Sequence, residues 1–384
     1  MHNVPVKIKV GGFDHTSAVA IGGDSPVAIQ TMWKDRLSFS DLEGAAGAVS
    51  RIEGLSRMGC GLLRFAVPDP AAAEVLGCLS QMVAMPLVAD IHFDYKIALR
   101  CMDFPVAKIR INPGNIGGKE KLRRVLDKAA GKGIPIRVGV NAGSLPNDLR
   151  EKAASGADNP DALAAALAEA AMRELAFFDE FGFSNVLVSM KASGIADTIK
   201  ANRILASKTD KPLHIGITEA GPLAAGIARS SAALAVLLAE GIGDTLRVSL
   251  SDSMENEVIA AREICRAAAE IASVSGKSGM AERLKQGGVN IVSCPRCGRH
   301  SFDTHGFCGR WQHKLYALDK NITVAIMGCE VNGPEEARHA DLGITGTGSK
   351  ILIFRRGKIV RTVSADGADA AALADEAFAQ ELVT

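Results

Sequence analysis

Aromatic residues are scarce in this chain of 384 residues, at 4% of the total, and neither sign of charge is in strong excess. The formal net charge of +1 gives no overall indication of binding to nucleic acid or to an anionic membrane. No uncharged apolar run reaches about 18 residues, the length typical of a transmembrane helix. The segment MHNVPVKIKVGG lacks the apolar core of a secretory signal. We therefore expect a cytoplasmic protein that acts without a membrane or nucleic acid.

The eight cysteines lack the paired spacing of a disulfide framework, which suits a reducing compartment. Four of them lie in apolar or helical stretches and are predicted to be core residues: Cys60, Cys78, Cys101 and Cys265. The other four occur after residue 290, where SCPRCGR places Cys294 and Cys297 three positions apart and Cys308 and Cys329 follow singly. This second group is the candidate metal site.

Short β-rich apolar runs alternate with helical segments up to about residue 270, and glycine is abundant. Because such alternation implies parallel strand pairing, eight repeats predict a closed (β/α)8 barrel of the TIM type. An open doubly wound sheet is the alternative, but the first strand-to-helix turn lacks a Gly-rich phosphate loop. The predicted strands are 27–32, 62–67, 86–91, 108–112, 135–140, 185–190, 212–217 and 245–250.

Several helix ends are also marked in the sequence. GKEKLRRVLDKAAGKG closes on glycine, as helices often do, and a later helix is predicted to open with Asn159 as its cap and Pro160 at its first position. Residues 273–288, rich in Gly, Ser and Lys, are predicted to link the barrel, 1–272, to a smaller α+β domain, 289–384. In that domain we expect a strand, a β-hairpin and an Ala-rich terminal helix.

Polar side chains recur in the predicted barrel strands and just beyond them, where apolar residues would normally fill the interior. Residues i and i+2 of a strand share a face, so these side chains are predicted to converge inside the barrel. The candidate binding residues are Arg64, Asp90, His92, Arg110, Asn112, Arg137, Asn141, Lys191, His214, Thr218, Arg247 and Ser249. The alternative is a set of structural ion pairs, or an error of one position in the assigned face.

Four arginines and a lysine in this set exceed the carboxylates expected nearby, chiefly Asp90 and Glu219. Burying unpaired cations is costly, so the pattern predicts an anionic ligand, and a phosphate or diphosphate suits arginine forks best. Glu219, just past the seventh strand, is a candidate proton donor once a substrate's negative charge favours its protonated form. It is equally predicted as a structural partner of Arg247 or Lys191.

The cysteines after residue 290 allow two metals. Cys294, Cys297 and Cys329 with Cys308 make a possible structural zinc site. Alternatively, three cysteines and one non-cysteine ligand hold an iron–sulfur cluster. The residue types alone leave these two alternatives even.

Seven segments of the chain form a further pattern: in chain order they are PLVADIHFDYKIAL, KIRINPGNIG, IPIRVGVNAGSL, HIGITEAG, EGIGDTLRVSLS, SCPRCGR and GCEVNGPEEA. They resemble the signatures of the 4-hydroxy-3-methylbut-2-en-1-yl diphosphate synthase family, iron–sulfur enzymes of the non-mevalonate isoprenoid pathway. The final segment resembles the family's GC-x-VNGPGEA. The similarity covers nearly the whole chain, in the short bacterial form of the family.

The resemblance implies a barrel followed by a domain binding a 4Fe–4S cluster through Cys294, Cys297, Cys329 and Glu336, with Cys308 uninvolved. It implies two-electron reductive ring opening of 2-C-methyl-D-erythritol 2,4-cyclodiphosphate to 4-hydroxy-3-methylbut-2-enyl diphosphate. Glu336 would yield its iron to a substrate oxygen, because a carboxylate is held more weakly than a thiolate. Ferredoxin or flavodoxin would supply the electrons, and a head-to-tail homodimer would join the cluster of one subunit to the barrel of the other.

Two departures from the family pattern are expected to matter. Glu335 stands where the family has glycine, next to the implied ligand Glu336, and would strain the loop if that glycine needs a positive φ. The segment QTMWKD replaces a Ser/Thr/Asn-rich turn, so Trp33 and Lys34 are predicted to alter the pocket mouth.

Overall fold

A computed structural model of the chain describes residues 3–37, 42–155, 159, 161–329, 333–364 and 369–383. The chain forms two compact units, Met1–Gln286 and Gly287–Thr384. The first is a barrel of parallel strands surrounded by helices, and the second is a smaller unit with a mixed sheet. This architecture confirms the predicted fold class.

A short antiparallel hairpin, β1 (Ile8–Gly11) and β2 (Ala18–Ile21), precedes the barrel and was not predicted. Its side chains Ile8, Val10 and Ile21 are buried against residues at the amino-terminal ends of the barrel strands. The barrel residues in this cluster include Leu62, Val88, Ala107 and Leu187. The hairpin therefore closes the amino-terminal end of the barrel with apolar side chains.

Eight parallel strands form the barrel, and each overlaps a predicted strand. A bridge between Val188 and Leu213 closes the ring, and the last strand pairs with the first. The strands are β3 (Ala28–Met32), β4 (Leu62–Ala66), β5 (Leu87–Asp90), β6 (Lys108–Ile111), β7 (Ile136–Asn141), β8 (Val186–Lys191), β9 (His214–Ile215) and β10 (Thr245–Leu246). They are short because their continuations are the loops that carry the site.

Helices cover the outside of the barrel. They are α1 (Leu42–Arg57), α2 (Pro70–Ser80), α3 (Tyr95–Cys101), α4 (Lys119–Lys132), α5 (Asn147–Ser155), α6 (Ala162–Glu180), α7 (Ile195–Lys208), α8 (Leu223–Glu240), α9 (Met254–Val274) and α10 (Ser278–Leu284). One helix, α8, is long and apolar enough for a membrane span by length and composition alone. In this structure it packs between α7 and α9 on the barrel.

The predicted helix ends are only partly reproduced. α4 stops at Gly133, which has φ 67° as a left-handed cap. α6 begins two residues later than the predicted first position, with Asp161 as its cap. Asn159 instead accepts a hydrogen bond from the Asp161 backbone N–H at 3.0 Å, and Pro160 lies outside the described residues.

The predicted linker range differs in the structure, since residues 273–286 belong to the barrel unit. Within α10, Leu284 is fully buried and the Arg283 guanidinium lies 2.9 Å from the Asp244 carboxylate. The carbonyl of Arg283 also accepts a hydrogen bond from the N–H of Val27 at 2.9 Å. The polar composition that suggested a linker instead reflects an amphipathic helix, α10, on the barrel surface.

Three of the four predicted core cysteines are buried, namely Cys60, Cys101 and Cys265, whereas Cys78 is exposed. Burial raises the pKa of each of the three buried thiols to about 12. Cys78 is exposed because it lies on the outward side of α2. The apolar sequence of this helix had predicted that Cys78 would be buried.

The second unit has a five-stranded sheet: β11 (Asn290–Ser293), β12 (Thr323–Ile326), β13 (Leu342–Thr347), β14 (Lys350–Arg355) and β15 (Lys358–Ser364). The first three strands are parallel, and the last three form an antiparallel meander. β12, the hairpin β14–β15 and the terminal helix α12 (Ala370–Val383) were predicted. β11, β13 and α11 (Thr304–Tyr316) were not.

An aromatic cluster joins the two helices of this unit to the sheet. Trp311 stacks on Phe307 with ring centroids 5.6 Å apart, and Phe378 meets both rings edge-on. The Asp375 carboxylate accepts a hydrogen bond from the Trp311 indole N–H at 2.8 Å and binds both arms of Arg310. This packing fixes the sheet whose strand ends carry the cysteines.

Candidate active site

A polar pocket of about 180 Å³ opens at the carboxyl-terminal ends of the barrel strands. Ten of the twelve predicted binding residues line it: Arg64, Asp90, His92, Arg110, Arg137, Asn141, Lys191, Thr218, Arg247 and Ser249. Gly139, Val140 and Ser189 complete the lining. Alternation along the strands therefore located most of this pocket.

The other two predicted binding residues lie elsewhere in the barrel. The side chain of Asn112 accepts a hydrogen bond from the Gly114 N–H at 3.1 Å and so caps a short 3-10 turn. His214 is fully buried, with its Nδ1 2.7 Å from the Thr245 hydroxyl. Burial and the nearby charge of Arg137 lower the pKa of His214 well below its usual value, so it is neutral.

Glu219 is exposed and does not line the pocket among the described residues. Its backbone is left-handed, with φ 54°, in the loop after β9. Thr218, the residue before it, does line the pocket. Glu219 is therefore the sequence neighbour of a pocket-lining residue, with an exposed side chain.

Asp90 is the central carboxylate of the pocket. Its oxygens lie 3.0 Å from Nη1 of Arg110 and 3.5 Å from both Nε of Arg64 and Nε2 of His92. Burial would raise the pKa of Asp90, but the His92 hydrogen bond and the charges of Arg64, Arg110 and Arg137 hold it well below its usual range. Asp90 is thus ionised at neutral pH, and its single negative charge positions both Arg64 and Arg110.

Glu257, on α9, is a second buried carboxylate that the sequence reasoning missed. It binds both Nε and Nη2 of Arg247 at 3.2 Å, Nζ of Lys34 at 3.0 Å and the Thr31 hydroxyl at 2.6 Å. Burial opposes ionisation, but Arg247 and these hydrogen bonds lower its pKa. Glu257 therefore fixes Arg247 from behind the pocket.

A signal for Glu257 is present in the sequence. It is buried on α9 together with Met254, Val258 and Ala261, which follow helical spacing. A glutamate on the buried face of an amphipathic helix requires a cationic partner. Counting carboxylates on the strands alone underestimated the negative charge around the pocket.

Three cations in the barrel interior have no carboxylate partner in the part of the chain that the structure describes. Arg137 is 2% exposed, and its Nε and Nη1 are without hydrogen-bond partners. Lys108 is fully buried and reaches only the side-chain oxygen of Gln30, at 3.2 Å. Burial, with the charges of neighbouring cations, lowers the pKa of Arg137, Lys108 and Lys191. The pocket is therefore prepared for an anion that the protein does not itself supply.

Two glycines create the space in which these long cations lie. A Cβ atom on Gly139 would lie 2.9 Å from Nη2 of Arg110, and one on Gly216 would lie 2.8 Å from Nζ of Lys191. Either side chain would displace a cation from the pocket. Glycine at these strand positions is thus part of the binding geometry.

Trp33 and Lys34, the residues predicted to alter the pocket mouth, are not among the pocket-lining residues of the described chain. Lys34 donates to the Leu250 carbonyl at 2.8 Å as well as contacting Glu257, and it also contacts the carbonyl of Asp252. Trp33 is buried and stacks on Phe65 with centroids 5.4 Å apart. These residues tie the loop after β3 to the segment that carries Ser249.

The cysteines of the second unit follow adjacent parallel strands. Cys294 comes directly after β11, and Cys329 follows β12 by three residues. The two loops pack closely, because a Cβ on Gly328 would lie 3.4 Å from Sγ of Cys294. All three implied cysteine ligands, including the exposed Cys297, are free thiols. Within the described residues, no three metal-binding side chains are gathered around a common point.

The implied carboxylate ligand lies in a turn that continues from Cys329. Glu335 and Glu336 are both exposed, and the Gly333 N–H donates to the Cys329 carbonyl at 3.0 Å. The backbone of Glu335 is not left-handed, so the expected strain from replacing a glycine is absent. Cys308 lies on α11, with its Sγ 3.4 Å from the Ser293 hydroxyl.

Two family models match this chain, the GcpE TIM-barrel domain over residues 13–262 and the GcpE protein C-terminal domain over residues 290–376. The 4-hydroxy-3-methylbut-2-en-1-yl diphosphate synthase (flavodoxin) of Treponema pallidum is 49% identical, over 97% of this chain and 90% of the relative. The chain belongs to this synthase family. The synthase of the same name from Geobacter sulfurreducens is 42% identical, over 92% of this chain and 93% of the relative.

Membership in the 4-hydroxy-3-methylbut-2-en-1-yl diphosphate synthase family extends over both units and confirms the resemblance inferred from the motifs. A dihydropteroate synthase from Xanthomonas albilineans covers 70% of the chain, at 15% identity and a TM-score of 0.46. At this TM-score the likeness carries no argument about function.

Proposed function

We propose that this protein reduces 2-C-methyl-D-erythritol 2,4-cyclodiphosphate to 4-hydroxy-3-methylbut-2-enyl diphosphate in isoprenoid precursor biosynthesis. Two electrons enter, the ring opens and water leaves. The observation that carries the proposal is the cationic pocket of the barrel, with Arg137 and Lys191 left without a carboxylate partner in the described chain. The name shared by the relatives supports the same reaction.

The diphosphate would occupy the barrel pocket. Arg64, Arg110, Arg137, Lys191 and Arg247 provide the positive charge, and arginine forks match pairs of phosphate oxygens. Asp90 and Glu257 hold Arg110 and Arg247 in place before the ligand arrives. Because these side chains are already held in place, binding of the diphosphate requires little further ordering of the pocket.

Neutral donors and acceptors around the cations would orient the substrate. Asn141 and Ser249 line the pocket wall and would hydrogen-bond the diphosphate or the ring oxygens. Asp90 and His92 face the same cavity. Asn112 would act through the 3-10 turn that it caps, and His214 through its buried contact with the Thr245 hydroxyl.

Glu219 is the proposed proton donor or relay for the departing hydroxyl. It is one residue beyond the pocket-lining Thr218 and remains accessible to solvent. Negative charge on a bound diphosphate would favour its protonated form. Its exposed position also allows it to regain a proton from water.

A 4Fe–4S cluster would be held by Cys294, Cys297, Cys329 and Glu336. The donor chemistry fits, because three soft thiolates and one weaker carboxylate suit a cluster in which one iron has an exchangeable ligand position. The close packing of Gly328 against Cys294 brings two of the cysteine loops together. When bound, the cluster would supply the electrons one at a time. Glu336, on an exposed turn, would be the carboxylate ligand and the most weakly held of the four.

The electron donor would be flavodoxin or ferredoxin, and the relatives carry flavodoxin in their names. A head-to-tail homodimer in the cytoplasm would bring the cluster of one subunit to the barrel of the other. No membrane or nucleic acid is part of the proposal. Sedimentation of the full chain at micromolar concentration would test the dimer.

Metal and sulfide analysis of anaerobically purified protein tests the proposal, combined with turnover of the cyclodiphosphate under reduced viologen. We expect about four iron and four sulfide per chain, with consumption of the substrate. About one zinc without sulfide, and no turnover, would contradict the reductase and leave a phosphate-binding barrel with a structural metal.

A further inference from the structure

A second cavity of about 240 Å³ adjoins the cationic pocket at the same end of the barrel. Asp90, His92 and Asp94 border this cavity, but most of its exposed wall is apolar. The apolar lining residues are Ala66, Val67, Pro68, Ile91, Phe93 and Ile97. We name these six residues the apolar annex. The annex lies between the loop after β4 and the loop after β5, where barrel enzymes place their ligands.

The two cavities share Asp90 and His92 as a common boundary. Asp90 ends β5, and the loop residues Ile91, His92 and Phe93 follow it directly, so this short segment borders both cavities. Asp94, which also borders the annex, is turned toward α3 and accepts a hydrogen bond from the Lys96 N–H at 2.8 Å. The annex therefore offers an apolar surface directly beside an anion-binding surface.

Phe93 forms the outer lip of the annex and is 73% exposed, although it is one of the largest apolar side chains in the unit. Its ring centroid lies 5.9 Å from that of His92. An exposed aromatic residue beside an apolar cavity is typical of a surface that a ligand covers. Val67 and Ile91, in contrast, are fixed in the wall with at most 2% exposure.

We propose that the apolar annex binds the hydrocarbon chain of linear alkyl or alkenyl diphosphates whose diphosphate occupies the cationic pocket. This inference rests on the proposed function, because it uses the same anion site. A cavity of roughly 150 Å³ lined by apolar side chains accommodates benzene, so the annex has room for a chain of about five carbons or more. Such diphosphates compete with the cyclic substrate and inhibit the enzyme.

Isothermal titration calorimetry on the full-length protein tests the annex, with inorganic pyrophosphate followed by methyl, propyl, pentyl and octyl diphosphate. We expect affinity to rise about two- to fourfold for each added methylene up to about pentyl, as burial of apolar surface predicts, and then to level off. In turnover assays, pentyl diphosphate should be a competitive inhibitor of the cyclodiphosphate.

Two substitutions of the lip separate the annex from its surroundings. Phe93→Ser should flatten the dependence on chain length while leaving pyrophosphate affinity unchanged, and Phe93→Trp should retain the dependence. Met82→Ser is the matched control, because Met82 is a 50% exposed apolar residue outside the annex. The control should reproduce the wild-type series.

Equal affinity for pyrophosphate and all alkyl diphosphates would overturn the annex while leaving the anion pocket intact. A chain-length dependence that persists unchanged in Phe93→Ser would also overturn it, since the apolar contact would then lie elsewhere. Failure of pyrophosphate itself to bind would contradict the anion pocket of the proposed function, and the inference with it.

Discussion

The barrel and the smaller unit present their functional side chains in different ways. In the barrel, the polar residues stand on strands or just after them, and buried carboxylates already hold Arg110 and Arg247. In the smaller unit, the proposed cluster ligands lie in loops: Cys294 and Cys329 follow strands, and Glu336 is on an exposed turn. A rigid strand end defines a pocket before its ligand arrives, whereas loop ligands acquire their geometry from the metal they bind.

The largest expected effect on turnover comes from substituting a proposed cluster ligand in the loops of the smaller unit. Cys294→Ser should abolish iron and sulfide binding and reduce turnover by more than the roughly 10- to 100-fold that loss of an outer-shell partner costs. Iron analysis and visible absorption of anaerobic protein would measure this. Cys308→Ser is the matched control and should keep its iron. Cys308 lies on α11, where it contacts Ser293, and is outside the proposed ligand set. If it loses iron, the ligand assignment is wrong.

A second prediction addresses the strands. Arg110→Ala should lower kcat/KM by about 100-fold or more, because removing one member of a buried charge pair typically costs 2–5 kcal/mol in binding. The visible spectrum of the cluster should be unchanged. Arg123→Ala, an exposed arginine on α4 paired loosely with Asp127, should behave as wild type. Loss of the cluster in Arg110→Ala would mean that the two regions do not form their sites independently.

Glu257 tests how the barrel keeps its cations fixed. Glu257→Gln should lower the free energy of unfolding by about 3 kcal/mol, since Arg247 and Lys34 would lose a buried partner. Urea denaturation would measure the change. Glu255→Gln on the same helix is the control and should cost at most about 1 kcal/mol, because its ion pair with Arg51 is partly exposed.

The same variant has a defined pH dependence. The pKa of Glu257 in the folded protein lies below its ordinary value of 4.5. Its stabilisation is therefore fully present above that pH and is lost as the pH falls through the folded-state pKa. The stability difference between wild type and Glu257→Gln should be constant near neutral pH and shrink in acid.

The smallest effect concerns the buried lysine beneath the pocket. Lys108→Met should raise the free energy of unfolding by about 1 kcal/mol at neutral pH, because it removes a buried cation without a carboxylate partner in the described chain. Burial depresses its folded-state pKa below 10.5, so wild-type stability rises with pH up to that value. The advantage of Lys108→Met should therefore narrow in alkali, while the exposed Lys9→Met shows neither effect. An unchanged or lower stability at neutral pH would contradict the proposed cost of the cation.

Most of the barrel could be predicted, because eight apolar runs and the i, i+2 alternation are local properties of the chain. The same alternation brought ten of the predicted binding residues into one pocket. It did not place there His214, which is fully buried, or Asn112, whose side chain caps a turn after β6. Alternation assigns a face but does not state the depth of a residue along the barrel axis.

Other features depend on contacts that no local pattern contains. The pairing of Glu257 with Arg247 spans from α9 to the barrel interior, and the hairpin β1–β2 is recognised only through the cluster it forms with Leu62 and Val88. In the smaller unit, β13 was missed because LGITGT contains two glycines and little alternation. The cysteine spacing predicted a metal site but left its metal open, and family resemblance supplied that choice.

The apolar hairpin at the amino-terminal end of the barrel has a consequence for the order of events in turnover. Because Ile8, Val10 and Ile21 seal that end, substrate and product exchange through the opposite opening. The product must therefore leave the pocket before the next substrate molecule binds. Exchange at that opening would link the residence time of the product to the rate at which the next cycle begins.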